Sequence, residues 1–166
     1  MTKRSDPIAP ADAGARTLAR KLMQATHAAL SYLDAECGAP GISRIAFGLD
    51  PDHQPITLIS SLAPHFAGLR ANPVCALLLG EPGSKGDPLT HPRLMLQARA
   101  DFIASTAPER PALRDHWLDR HPKSKLYIDF ADFALVRLVP VSALLNGGFG
   151  KAFRLTPQDL TPDDLA

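Results

Sequence analysis

Arg44, Ser60, Ser61 and His65 fall within one stretch, residues 43–79 (SRIAFGLDPDHQPITLISSLAPHFAGLRANPVCALLL). Hydroxyls and backbone amides at a helix N-terminus suit the oxygens of a phosphate, and a nearby arginine adds charge and a fork of paired donors. Taken together the four residues describe an anion cup. Arg44 has Ile42, Ile45 and Phe47 as neighbours on a strand, where a partly enclosed guanidinium is costly unless it meets an anion. Alone it would read as an ordinary surface arginine. The serines and the histidine give it a role.

Other chemistries lack their patterns. Ser60 or Ser61 with His65 could pair a nucleophile with a base, but ISSLA is not G-x-S-x-G and no acid is placed to orient the histidine. His116 and His121 are five apart across a helix end, whereas a metal pair on one helical face is spaced by four, so no metal site is expected. Gly83-Ser84-Lys85-Gly86 has the order of a phosphate loop wrong. Gly147-Gly148-Phe149-Gly150 is too compact for a dinucleotide fingerprint and is followed by KAFRL where a helix would be needed. These glycines serve positive φ or close backbone approach. Cys37 and Cys75 belong to no CxxC and read as reduced thiols. Trp117, Tyr127 and the phenylalanines read as core, and no residue is singled out as a catalytic acid or base.

The elements that must position the cup follow from periodicity. Leu18, Leu22, Ala25 and Ala29 recur at helical spacing, predicting a helix over 14–29 that leads into a first strand, AALSYLDA. Strands at 42–49 and 56–60 flank the turn DPDHQP and form a hairpin. Leu62, Phe66 and Leu69 predict a short helix over 62–71 with Ser61 as its N-cap, and Asn72-Pro73 stops it before the strand VCALLL. Residues 80–92 are loop by composition. A strand over 93–105 alternates Leu94, Leu96, Ala98 and Ala100 with Arg93, Met95, Gln97 and Arg99. Helices are expected at 108–120 and 126–130, a strand at 133–139, an apolar piece at 141–145, and a last helix with Thr156 as N-cap. Strands outnumber helices and connections are short. The fold class expected is α+β, mainly β, an antiparallel barrel or sheet with helices on its outside.

A chain of 166 residues that is 45% hydrophobic can bury one sizeable core. We expect a mobile arm at 1–12 and a single domain over 13–166. Net charge is +1 with the basic residues scattered, which supplies no stripe for nucleic acid. No apolar run approaches the roughly 20 residues of a membrane helix, and no signal peptide is recognisable, so a cytoplasmic protein is expected.

The run PITLISSLAPHFAGLRANPVCALLL, followed by DPLTHPRLMLQARA, resembles the FMN-binding split-barrel proteins related to pyridoxamine 5′-phosphate oxidase. The later run HPKSKLYIDFADFALVRLVPVSALLNGGFGKAFRLTPQDL resembles the haem-utilisation branch of that family. The resemblance covers about His27 to Leu160. It implies a six-stranded antiparallel split barrel, a homodimer, and FMN in two clefts at the dimer interface, making the protein a flavin-dependent oxidoreductase. Carried over, Arg44 takes the place of a phosphate-binding arginine, Ser60 and Ser61 lie on the strand end that supplies hydroxyls, and His65 stands where haem-utilisation members have a histidine. Arg93 matches a position that the second subunit brings toward the flavin. The chain departs from the family at Gly68, where asparagine is usual, at Met95 for threonine and at Ala98 for glycine. Two alternatives accompany the FMN reading. One is a haem-binding protein of the same fold, in which His65, His91 or His121 would serve for a terminal ligand that has no counterpart after His121. The other is a dimeric interaction module without cofactor.

Overall fold

The computed structural model describes residues 8–162. In chain order these form β1 (Ala9–Pro10), α1 (Ala13–Leu22), β2 (His27–Leu33), β3 (Pro40–Ala46), β4 (Gly48–Leu49), β5 (Pro55–Ser60), α2 (Pro64–Ala71), β6 (Val74–Leu79), β7 (Arg93–Phe102), α3 (Arg110–Arg120), β8 (Phe133–Asn146), β9 (Ala152–Leu155) and α4 (Pro157–Leu160). Single 3-10 turns span Pro88–Thr90 and Pro122–Leu126. No helix among the described residues is long and apolar enough to cross a membrane.

The fold is α+β and mostly β, but the sheet has nine strands rather than the six expected. Three short pieces make the difference. β1 is two residues pairing in parallel with Phe153 and Arg154 of β9, so part of the stretch expected as an arm lies on the sheet edge, while residues 1–7 lie outside the described residues. β4 is the end of the strand expected at 42–49, cut off where the Phe47 amide bonds Thr26 O instead of staying in the ladder. β9 is the KAFRL piece, returning from β8 after the glycine cluster. None is long enough to show a period.

Asp12 caps α1, its Oδ1 accepting from Ala15 N at 2.7 Å. The helix ends at Leu22 rather than near 29, because Ala28, Leu30 and Tyr32 are buried alternately and require a strand. α2 begins at Pro64 with Ala63, not Ser61, at its N-cap, and Ser61-Leu62 forms a turn before it. In α4 Thr156 is the N-cap as expected, and Asp159 reaches back to the Thr156 amide in a capping box. The two apolar pieces at 133–139 and 141–145 join as one strand, β8, across Pro140. A proline there removes a ladder donor. The register shifts at that point: Ala98 faces Pro140 and Gln97 faces Ser142, leaving Val141 without a partner in a bulge that absorbs the missing donor.

The ladder runs β1-β9-β8-β7-β6-β2-β3, and β5 joins it on β8. β3 therefore ends the sheet with only β2 as partner. β5 pairs β4 and β8 but not β3. The barrel is open between β3 and β5, tied where buried Thr57 donates to Ala46 O at 2.6 Å. The main core packs inside the sheet and under α1. A smaller one, around Trp117, Leu113, Ile128 and Leu135, sits beneath α3. The sheet's outer face leaves Ile42, Leu78, Val139 and Val141 exposed.

Candidate functional site

The opening between β3 and β5 forms a cleft of about 370 Å³, lined among others by Arg44, Ser60, Ala63, His65, Tyr127 and Phe133. The barrel's unpaired edge thus brings together three of the residues singled out from the sequence. Arg44 points outward from β3, on the same side as exposed Ile42, and makes no hydrogen bond or ion pair among the described residues. Ser60 ends β5, and His65 comes from the first turn of α2.

Few donors of the cup remain open. Ser60 Oγ donates to Asp132 Oδ2 at 2.9 Å and accepts from Leu62 N at 3.2 Å, which uses its single proton. The Ser61 amide bonds Asp132 O, the Ala63 amide bonds Ser60 O and the Phe66 amide bonds Ala63 O. Pro64 has no N–H. Ser61 itself is exposed and does not line the cleft.

His65 is half-buried. Its Nδ1 lies 3.2 Å from Ser43 Oγ and its ring meets Tyr32 edge-on at 5.9 Å. Burial lowers its pKa, which favours the neutral imidazole. His121 is lowered as well, first by burial and then by Arg120, against a hydrogen bond to Phe47 O. An unfolded histidine titrates near 6.5, so below that pH the unfolded chain takes up protons before the folded one. The stability tied to these two histidines is present above about pH 6.5 and is lost as pH falls from there through their lower folded values. Melting temperature is therefore expected to fall between pH 7.5 and 5.5, and His121→Gln should flatten the profile. A wild-type profile already flat over that range would contradict it.

No protein-family model matches the chain. Over 116 residues, 70% of this chain, it is 34% identical to the chloroplastic non-canonical heme oxygenase HOZ of Arabidopsis thaliana; it spans 34% of that protein's length. The heme binding protein of Mycobacterium smegmatis superimposes with a TM-score of 0.77 over 96% of this chain and 61% of its own, at 24% identity. A Clostridium acetobutylicum protein related to general stress protein 26, of the pyridoxinephosphate oxidase family, gives 0.66 over 90% and 99% at 14% identity. At these identities the two structures speak for the fold. The chain has the fold of the split-barrel proteins related to pyridoxamine 5′-phosphate oxidase. Within it the likeness is to the haem-utilisation branch.

In this split-barrel chain Arg93 stands apart from the Arg44 cleft. It lines a second cleft of about 220 Å³ with Leu78, Met95, Leu144 and Phe153, and its Nη1 donates to Leu89 O at 2.8 Å. Three other histidines hold backbone groups. His91 bonds Gly83 N through Nδ1 and Lys85 O through Nε2, His116 Nε2 bonds Leu49 O, and His121 Nε2 bonds Phe47 O while its ring stacks on Trp117 at 4.0 Å. No cluster of three metal-ligating side chains occurs among the described residues. Sequence reasoning missed Ser43, Asp132, Tyr127 and Phe133 as neighbours of the cup. Asp132 leads into β8, whose pairing with β5 sets Phe133 opposite Ser60, while Ser43 precedes Arg44 on β3.

Proposed function

We propose that this protein binds a haem-type tetrapyrrole at the cleft between β3 and β5, as a homodimer acting in haem utilisation. The observation that carries this is His65. Of the three histidines considered as iron ligands, it is the one that lines the cleft, and its Nε2 is unengaged among the described residues, whereas both ring nitrogens of His91 are engaged and His121 lies outside the cleft. With Nδ1–H donating to Ser43 Oγ, Nε2 keeps its lone pair. An iron-ligating histidine behaves in this way, giving its other N–H to an oxygen. Arg44, without a partner among the described residues, suits a propionate carboxylate.

The same cleft is poorer for the phosphate of FMN. A dianionic phosphate wants several converging donors, whereas the Ser60 hydroxyl and the Ser61, Ala63 and Phe66 amides have spent theirs, Pro64 has none, and the Asp132 carboxylate stands beside Ser60. Iron porphyrin would supply redox and oxygen chemistry, while the chain holds and orients it. At about 370 Å³ the cleft is at the small end of ligand pockets, so part of a tetrapyrrole would extend beyond it. A second copy seated on the apolar outer face, where Ile42, Leu78, Val139 and Val141 are exposed, would cover that part.

Titration of purified protein with haemin and, separately, with FMN tests the reading. A Soret band shifted from that of free haemin is expected at micromolar concentration. His65→Ala should remove the ligation signature, and Arg44→Ala should weaken binding about tenfold or more, the worth of a charge-assisted hydrogen bond. Tight FMN binding with no haemin uptake would overturn it, as would a wild-type Soret spectrum in His65→Ala.

A further inference from the structure

Behind the cleft wall a chain of side chains runs into the smaller core. Trp117 is 1% exposed, and its Nε1 lies 3.1 Å from Ser124 Oγ. Ser124, 3% exposed, lies 3.2 Å from the Tyr127 hydroxyl. An indole N–H can only donate, so Ser124 Oγ accepts from Trp117. That leaves two hydroxyl protons, those of Ser124 and Tyr127, and one hydrogen bond between them. Neither hydroxyl has another acceptor among the described residues. One proton must therefore look beyond the described residues. Leaving it on buried Ser124 would strand a donor away from water at a full desolvation cost. Tyr127 is only partly buried and lines the cleft. The low-energy arrangement runs one way: Trp117 N–H to Ser124 Oγ, Ser124 O–H to the Tyr127 oxygen, and the Tyr127 proton outward. Phe133 packs on the Tyr127 ring at 4.8 Å and fixes its position.

We propose that Tyr127 is a recognition donor of this cleft, its hydroxyl turned toward the ligand by Ser124 and Trp117, so that the ligand places a carboxylate or carbonyl oxygen against it. The inference rests on the cleft being the binding site proposed above and adds a second polar contact besides Arg44 and His65. Ser124 and Trp117 are positioning residues, and Tyr127 alone would touch the ligand.

The test has two parts. The protein has two tyrosines, so subtracting the Raman spectrum of Tyr127→Phe from that of the wild type isolates the Fermi doublet of Tyr127, whose intensity ratio reports whether a phenol oxygen accepts or donates. An accepting phenol is expected without ligand, with the ratio moving toward a donor in Ser124→Ala. A donor ratio in the wild type overturns the proposal. For binding, haemin and FMN are titrated into wild type, Tyr127→Phe and Ser124→Ala, with melting temperatures to confirm folding. Tyr127→Phe keeps the ring packing and should weaken whichever probe binds about tenfold; Ser124→Ala should weaken it in the same direction by less. If a probe binds wild type and Tyr127→Phe equally well, this proposal fails while the cleft stands. If neither probe binds wild type, both fail together.

Discussion

Asp50→Ala is expected to destabilise the protein by about 3 kcal/mol, the low end of what removing one partner of a buried ion pair costs. The Asp50 side chain is 1% exposed and lies 3.0 Å from Arg137 Nε. Its other oxygen accepts from the amides of Asp52 and Gln54, both at 2.9 Å. One carboxylate thus closes the turn between β4 and β5 and fastens it to β8, where Arg137 lies opposite Ile56. Without it the two amides and the guanidinium lose their acceptor together. The low end applies because Arg137 keeps 24% of its side chain in water and has Glu109 3.6 Å away as a second partner. Urea unfolding of wild type, Asp50→Ala and Asp50→Asn measures the effect. The asparagine variant, which keeps an acceptor for the amides, should lose less. A change under about 1 kcal/mol, the worth of an ordinary surface pair, would mean that Glu109 takes over and that Asp50 does not hold the turn.

The sequence was most legible where a short period is repeated or a cap stands beside its helix. β7 follows its alternation because Leu94, Leu96 and Ala98 must all face the core, and Thr156 announced α4 because capping is a contact over three residues. Legibility fails where a tertiary contact overrides a local pattern. The 3.6-residue spacing that begins at Leu18 runs on to Ala29, yet burial of Ala28, Leu30 and Tyr32 claims that segment for β2. Pro140 looked like the end of a strand, and only the bulge against Gln97 and Ala98 lets β8 pass through it. The cup shows the same limit. Arg44, Ser60 and His65 meet because their elements are neighbours in sequence as well as in space. Asp132 and Tyr127 reach the same cleft from about seventy residues away through the pairing of β5 with β8. Asp132 accepts the Ser60 proton, and this long-range contact removes one donor from the cup.

Gly68→Ala should lower both stability and ligand affinity, although alanine is the better helix former. From the sequence, Gly68 is a departure from the asparagine usual in the family. α2 lies so close on β2 that a Cβ there would stand 2.5 Å from the Leu33 carbonyl oxygen and 2.6 Å from Tyr32 Cδ2. Replacing glycine within a helix gains about 1 kcal/mol of propensity, whereas forcing an extra carbon into a closed contact costs about 1–3 kcal/mol. The oxygen belongs to a paired strand, and Tyr32 is held from its other side by Gly41, where an added Cβ would come within 2.5 Å of the ring. Neither neighbour can swing aside, so the cost is expected to exceed the gain and α2 must lift. His65 sits three residues earlier on that helix and leans on the Tyr32 edge, so lifting α2 displaces the imidazole in the cleft. Gly68→Ala should unfold at lower urea concentration than wild type and bind haemin more weakly, while retaining the ligation signature that His65→Ala loses. A Gly68→Ala variant as stable as wild type, with unchanged haemin affinity, would mean that α2 can move off the strand without cost, and the contact with Tyr32 would then have no part in placing His65.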